Sequence, residues 1–309
     1  AHVDNARGAL AFIPFSVGSR WLLSLPLGHV GGLAVLFRAV IGGGAIVVPA
    51  STDLHESIIA ARPTHLSLVA AQLTKIVDDE RVLEVLRSSC TDILVGGGPT
   101  TPALFARAIA AGLPVRQTWG LTEMGSQVCT SLPQQTSTCG AALPGRFVRT
   151  LDDGELVVGG AGRFRGFLGD DDTLVTPFLD VPFSGGGYAT GDLGAIDAAG
   201  HVVLTGRKGN RFISGGENIQ PEIIEAALGG DDAIVIVVPV DDARFGQRPF
   251  AFVDGVHADM LRARADERLP RFMHPVGYAP LPDSGGLKPR RRELQALAAT
   301  LHTSTKEHA

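Results

Sequence analysis

Gly206-Arg207-Lys208-Gly209-Asn210-Arg211-Phe212-Ile213-Ser214-Gly215-Gly216-Glu217-Asn218-Ile219-Gln220-Pro221-Glu222-Ile223-Ile224-Glu225 is the stretch around which the chain divides. It reads as a turn, a short strand at 211–213, a second turn on Gly215-Gly216 and the start of a helix. Pro221 suits the first helical position, where the N–H it lacks would have no intrahelical partner. Glu222 and Glu225 fall near the positive end of that helix. A stretch so dense in glycine and charge has little to bury, which fits a connector, a site, or both. A larger part of the chain precedes it and a smaller part follows.

In the larger part, apolar strands at 21–25, 45–48, 65–69, 93–95 and 115–118 alternate with helices at 1–12, 33–41, 54–61, 71–86 and 103–111. Leu73, Ile76, Val77, Leu83 and Leu86 form one apolar side along 71–86. Such alternation means an α/β domain with a mainly parallel sheet covered on both faces. Ligands bind at the loops leaving the carboxyl ends of such strands. Gly96-Gly97-Gly98-Pro99 and Trp119-Gly120-Leu121-Thr122-Glu123 are the two loops of that kind. After Pro144 the helical period vanishes. Short strands at 155–158, 163–167, 188–190, 194–197, 201–204 and 211–213 make an antiparallel β region. From Pro221, a helix at 222–228, strands at 233–238 and 250–253, and helices at 258–269 and 291–301 suggest a small α+β unit. The expected division is therefore 1–206 and 207–309.

The 309 residues are 45% hydrophobic and 19% charged, the balance of a globular chain. Net charge is −5 with no long basic run, so nothing points to nucleic acid. The longest apolar stretch, 31–48, is broken by Arg38 and three glycines and falls short of the roughly 20 residues that cross a bilayer. No signal peptide is visible. Cys90, Cys129 and Cys139 lack metal or redox spacing, and their odd number argues for a reducing, cytoplasmic setting. The first twelve residues look like the inside of a helix, without initiator Met or capping signal.

Several residues could carry chemistry. Thr122 beside Glu123 offers the hard oxygens that a phosphate-bound Mg²⁺ takes, or else caps a following helix. Asp192 after Gly191 could accept from both hydroxyls of a ribose, or simply occupy a turn. Lys288, in Ser284-Gly285-Gly286-Leu287-Lys288-Pro289-Arg290, is either a deliverable point charge or a solvated surface lysine. His29 could be a tunnel residue, a base or a polar loop residue. The nine histidines show no metal-ligand spacing, and there is no Gly-x-Ser-x-Gly.

Taken in order, Gly96–Pro99, Thr118-Trp119-Gly120-Leu121-Thr122-Glu123, Tyr188-Ala189-Thr190-Gly191-Asp192, Gly206-Arg207 and Gly286-Leu287-Lys288 resemble the adenylate-forming superfamily of acyl-CoA synthetases, luciferases and peptide-synthetase adenylation domains. Within it, Trp21–Val30, Ser214–Glu222 and Gly285–Lys288 look like the o-succinylbenzoate–CoA ligase subfamily of menaquinone biosynthesis. The resemblance implies two steps using ATP, Mg²⁺ and coenzyme A. The acid's carboxylate attacks the α-phosphate to give acyl-AMP and pyrophosphate; the small domain rotates, and CoA displaces AMP. It also implies roles. Thr122 contacts phosphate and Glu123 holds Mg²⁺. Gly97, Gly98, Pro99, Trp119 and Gly120 line the adenine and acyl sites. Asp192 binds ribose with Arg207 beside it, and Lys288 is the adenylation lysine. His29 sits at the acyl pocket and thiol tunnel. Arg38 faces a dianionic aromatic acid, unless it forms a helix-surface ion pair. Ser126 and Gln127 line the acid pocket.

Two departures qualify these expectations. The family's Ser/Thr/Gly-rich phosphate loop with its Lys belongs just before the opening helix and has no counterpart here. That implies a fragment or a short form with weakened ATP binding, its exposed apolar surface buried by self-association as a homo-oligomer. Gly209 stands where family members often carry a hinge Asp, so the pivot keeps its freedom but loses a polar contact. The remaining alternatives are another aryl or fatty acyl-CoA synthetase, or a catalytically impaired fragment.

Overall fold

The computed structural model describes all residues except 99, 136–137, 171–172, 180–185, 231, 283–289 and 308–309, with side chains through residue 303. The chain divides into two compact units: Ala1–Thr190 with Gly194–Leu204, and Gly191–Leu193 with Thr205–Ala309.

The first unit opens with α1 (His2–Leu10), β1 (Arg20–Leu22), α2 (Val30–Gly42), β2 (Ala45–Val47), α3 (Leu54–Ala61) and β3 (His65–Leu68). It continues with α4 (Ala70–Ile76), α5 (Glu80–Ser89), β4 (Asp92–Val95), α6 (Pro102–Ala110), β5 (Val115–Leu121) and β6 (Ser126–Thr130). The six strands form one sheet in the order β2-β1-β3-β4-β5-β6. Every pairing is parallel except that of β5 with β6. Alternating side chains supply two cores. Leu22, Ile93 and Val95 pack with Ile58 of α3, Leu73 of α4, Leu86 of α5 and Phe105 of α6. Trp21 and Leu94 face the other way, against Val35 and Ala39 of α2. A mainly parallel sheet covered on both faces is thus what the chain forms.

The antiparallel region comprises β7 (Arg146–Thr150), β8 (Glu155–Gly160), β9 (Phe167–Leu168), β10 (Leu174–Val175), β11 (Phe178–Leu179), β12 (Gly187–Ile196) and β13 (Val202–Arg207). Its sheet runs β11-β12-β8-β7, with β13 on β12, while β9 and β10 pair separately.

The second unit holds β14 (Phe212–Ser214), β15 (Glu217–Ile219), α7 (Pro221–Gly229), β16 (Ile234–Asp242), β17 (Gly246–Asp254), α8 (Ala258–Arg268), β18 (Tyr278–Pro280) and α9 (Arg291–Glu307). The sheet is β15-β14-β17-β16, with β18 parallel to β17. Val235, Val237, Ala251 and Val253 face Ile224 and Leu228 of α7 and Leu261 of α8. Val238, Val240, Phe250 and Phe252 face Leu294 and Ala298 of α9. Pro221 does open α7, after Gln220.

Four local expectations are corrected. The helix expected over 71–86 is two helices, because the Asp79 side chain accepts from the Arg81 N–H and starts α5 afresh. Trp119 and Gly120 are not loop residues. β5 runs on through them, held by β6, with a register shift between Trp119 and Gly120. A Cβ at Gly120 would lie 2.0 Å from the Ser126 carbonyl oxygen, so only glycine permits that approach. Asp192 is not in a turn between two strands; β12 is continuous through it, and Gly191 at φ +74° absorbs the irregularity. Residues 163–166 are not strand, which begins only at Phe167. Among the described residues no helix is long and apolar enough to cross a membrane.

Candidate functional site

The carboxyl ends of β4 and β5 carry the glycine loop and the Trp119–Glu123 segment. Gly96 N–H donates to the Leu68 carbonyl at 3.1 Å, and a Cβ on Gly96 would meet the Thr118 carbonyl oxygen at 2.7 Å. Gly97 has φ +79°, and a Cβ on Gly98 would meet nothing within 4 Å. Pro99 lies outside the described residues. The amino ends of β3, β4 and β5 carry a different set. Arg116 Nε donates to Asp92 Oδ1 at 2.5 Å, and His65 Nε2 is 2.9 Å from the Pro14 carbonyl oxygen. These groups are buried and satisfied by the protein itself, so they brace the sheet.

After Leu121 the backbone makes one 3₁₀ turn, Thr122–Met124, closed by Gly125 in the left-handed region. Thr122 is exposed, and its side chain caps nothing. The capping alternative is therefore not realised. Glu123 is half-buried; one carboxylate oxygen accepts from the Tyr188 hydroxyl at 3.3 Å, and its carbonyl accepts from Phe164 N–H at 2.7 Å. Ser126 begins β6 at φ +127°, an unusual value for a residue with a side chain.

Arg38 and Gln127 come together although 89 residues separate them. Arg38 Nη2 donates to Gln127 Oε1 at 2.6 Å. Gln127 Nε2 donates to Thr130 Oγ1 at 2.7 Å, and Asn5 Nδ2 donates to the Gln127 carbonyl at 2.9 Å. The guanidinium lies 4.9 Å from the centre of the Trp21 ring, and Arg38 is only 2% exposed. Its Nε is buried without a partner, and no carboxylate pairs with it among the described residues. Burial, then the charge of Arg146, pushes Arg38 down to about 9. The helix-surface ion pair is thereby excluded.

His29 is exposed at the N-terminal end of α2, without a side-chain capping bond. Arg38 is nine residues further along the same helix, about 14 Å along its axis, so the two are not brought together. In the second unit Arg207 Nη1 lies 3.3 Å from Asp192 Oδ1. Lys288 lies outside the described residues. Among the described residues no cluster of three or more His, Cys, Asp or Glu is placed to hold a metal.

Two contributors carry no role in the sequence reading. Tyr188 stands inside the Tyr188–Asp192 motif, and its contact with Glu123 is the bond that joins two motifs. Trp21 opens the Trp21–Val30 segment, but its place beneath Arg38 depends on the packing of α2 on the sheet.

The family model for AMP-binding enzymes matches residues 2–168. The 2-succinylbenzoate–CoA ligase of Salmonella typhimurium is 33% identical over 303 residues, covering 96% of this chain and 64% of that protein. The solved structure of a single-residue variant of Escherichia coli MenE with bound OSB-AMS superposes with a TM-score of 0.84 at 32% identity, over 96% of this chain and 64% of that one. Bacillus subtilis o-succinylbenzoate coenzyme A synthetase in complex with ATP and magnesium ion gives 0.78 at 28% identity, over 95% and 65%. The chain thus spans just under two thirds of the length of these relatives.

Proposed function

The chain belongs to the AMP-binding enzyme family, and on that premise we propose that it serves an ATP-dependent acid–CoA ligase whose acid is o-succinylbenzoate, a step of menaquinone biosynthesis. The observation that carries this reading is Arg38, a cation 2% exposed with an amide for a partner and no carboxylate beside it among the described residues. A buried charge without a counter-ion is costly. o-Succinylbenzoate has two carboxylates: one is activated, and the other is free to meet Arg38. A fatty acid or simple aryl acid offers only the first and would leave the cation uncompensated. The 2-succinylbenzoate–CoA ligases among the relatives support the same acid.

The acid's carboxylate oxygen bonds to the α-phosphorus of ATP as the bond to pyrophosphate breaks. The CoA thiol then attacks the acyl carbonyl, and AMP leaves. Glu123 holds Mg²⁺, whose charge offsets that of the phosphates, and Thr122 contacts phosphate. The exposure of Thr122 and the half-buried Glu123 carboxylate beside it suit that task, and Tyr188 orients the carboxylate. Gly97, Gly98, Pro99, Trp119 and Gly120 line the nucleotide and acyl sites. Asp192, with Arg207 beside it, takes the ribose. Lys288 stabilises charge at the α-phosphate. Ser126 and Gln127 line the acid pocket, and His29 lies on the thiol path. Residues 207–309 form the mobile domain, hinged near 207–209. Three buried free thiols fit a cytoplasmic location.

The test is acid-dependent pyrophosphate release by the full gene product that contains this chain. o-Succinylbenzoate is expected to support release far better than benzoate or a long-chain fatty acid. Release that is equal or greater with a monocarboxylate would refute the assignment.

A further inference from the structure

The hinge turn and the first turn of α9 are joined by one polar network. Asn210 Nδ2 donates to Glu222 Oε1 at 2.6 Å. Gln220 Nε2 donates to the Arg207 carbonyl at 3.0 Å and also to Oε2 of Glu222. From the other side, Arg291 Nη2 lies 3.6 Å from Glu222 Oε1 and 2.7 Å from Glu225 Oε1. Arg291 Nη1 donates to the Val237 carbonyl at 2.6 Å, and Val237 N–H donates to Glu225 Oε1 at 2.8 Å. One guanidinium therefore ties two carboxylates, three residues apart on α7, to β16. The Glu222 and Glu225 side chains are 13% and 10% exposed. Burial pushes the Glu225 carboxyl up to about 7, opposed by Arg291 and the Val237 N–H.

A buried ion-pair network is a weak source of stability, since apolar packing does as well. Its distinctive property is directional geometry, and here the geometry links two particular places. Asn210 lies three residues after Arg207, and Arg291 lies three residues after Lys288. The Gln220 side chain also occupies the space that a Cβ on Gly206 would need, 2.4 Å from its amide nitrogen. The turn before the network is thus closely fitted to it.

We propose that Arg291 and Glu222 are positioning residues that make Asn210, the first residue past the hinge at 207–209, and the start of α9 move as one piece, so that a dihedral change at the hinge is transmitted to the end of α9 to which Lys288 is tethered. The transmission rests on the geometry above; its use in catalysis rests on the roles of Arg207 and Lys288 under the proposed function.

Amide hydrogen exchange tests the transmission without any need for turnover. The variants are Arg291→Ala, Arg291→Lys and Glu222→Ala. Arg290→Ala is the control, because Arg290 is exposed and pairs with Glu293. Losing a charge-assisted hydrogen bond should speed exchange of amides 207–214 about tenfold in both alanine variants. Arg291→Lys should have a smaller effect and Arg290→Ala none; of β16 and β17, only Val237, whose N–H and carbonyl belong to the network, should exchange faster in the alanine variants, the other amides being unchanged throughout. Two results would overturn the proposal: faster exchange confined to the start of α9, or a uniform rise that includes β16 and β17. In the active gene product, the same alanine variants should lower kcat for adenylation about tenfold and leave KM for ATP unchanged. A Lys288→Ala variant with full adenylation would remove the catalytic use of the network but leave the exchange result standing.

Discussion

Replacing Arg38 with Met should leave the empty protein no less stable while removing its preference for a dicarboxylic acid. Burial holds the Arg38 guanidinium well below the ordinary arginine range, down to about 9. At about 1.4 kcal/mol per pH unit, keeping that cation in the folded chain costs roughly 5 kcal/mol. Arg38 is charged in both folded and unfolded chains at neutral pH, so the cost is constant there and Arg38→Met removes it. Against this stand the lost donor to Gln127 Oε1, about 1–3 kcal/mol, and the lost contact with Trp21, about 0.5–2 kcal/mol. Met fills much of the vacated space with a flexible apolar chain. The net effect runs from about zero to roughly 3 kcal/mol of stabilisation. Binding should move the opposite way. Removing one member of a buried charge pair costs about 2–5 kcal/mol, so affinity for o-succinylbenzoate should fall at least about thirtyfold. Benzoate, lacking the second carboxylate, should bind both proteins alike. Thermal unfolding with and without each acid reads both effects, because a ligand that binds only the folded state raises the midpoint. If Arg38→Met unfolds far more easily and yet keeps its affinity for o-succinylbenzoate, Arg38 is a structural residue and the reasoning fails.

Other outcomes follow from the same geometry. Gly120→Ala would drive a Cβ against the Ser126 carbonyl, and chemical denaturation should show a loss of at least about 1–3 kcal/mol. Gly209 has no positive φ and nothing near its missing Cβ, so Gly209→Ala should be neutral or stabilise by about 0.4–1 kcal/mol. If Gly209 is the pivot, that variant should still adenylate at the normal rate but slow thioester formation in single-turnover assays. Glu225 is raised to about 7 and faces Arg291 of α9, Glu222 of its own helix and the Val237 N–H of β16. A raised carboxyl contributes fully below its unfolded value of 4.5 and loses that contribution as pH rises through about 7. Wild-type stability should therefore decline relative to that of Glu225→Gln over this window; parallel pH curves for the two proteins would contradict it. Lys288→Ala should abolish most adenylation, and a full rate would remove its assigned role.

Much of the fold is legible in the sequence where apolar runs are short and bounded, as in β3 and β4. What escapes depends on tertiary context. The stripe from Leu73 to Leu86 carries through Val77, which hides the fresh start that Asp79 gives α5. Gly191 reads as a turn, but in the fold it is an irregularity within one continuous strand. β6 is half polar and takes its register from β5, with Ser126 at a backbone angle that composition does not announce. At the candidate site, Arg38, Gln127, Glu123 and Asp192 are each visible as residue types. The bonds Arg38–Gln127 and Tyr188–Glu123 span 89 and 65 residues, and only the folded chain brings those partners together.

The acyl-adenylate itself is the most direct witness. The full gene product containing this chain should be incubated with o-succinylbenzoate, ATP and Mg²⁺ in the absence of CoA, and the mixture analysed by mass spectrometry. The expected species is o-succinylbenzoyl-AMP with an equivalent of pyrophosphate, discharged to the CoA thioester when CoA is added. An adenylate formed on benzoate or a fatty acid but not on o-succinylbenzoate, or no adenylate from any acid, would contradict the account.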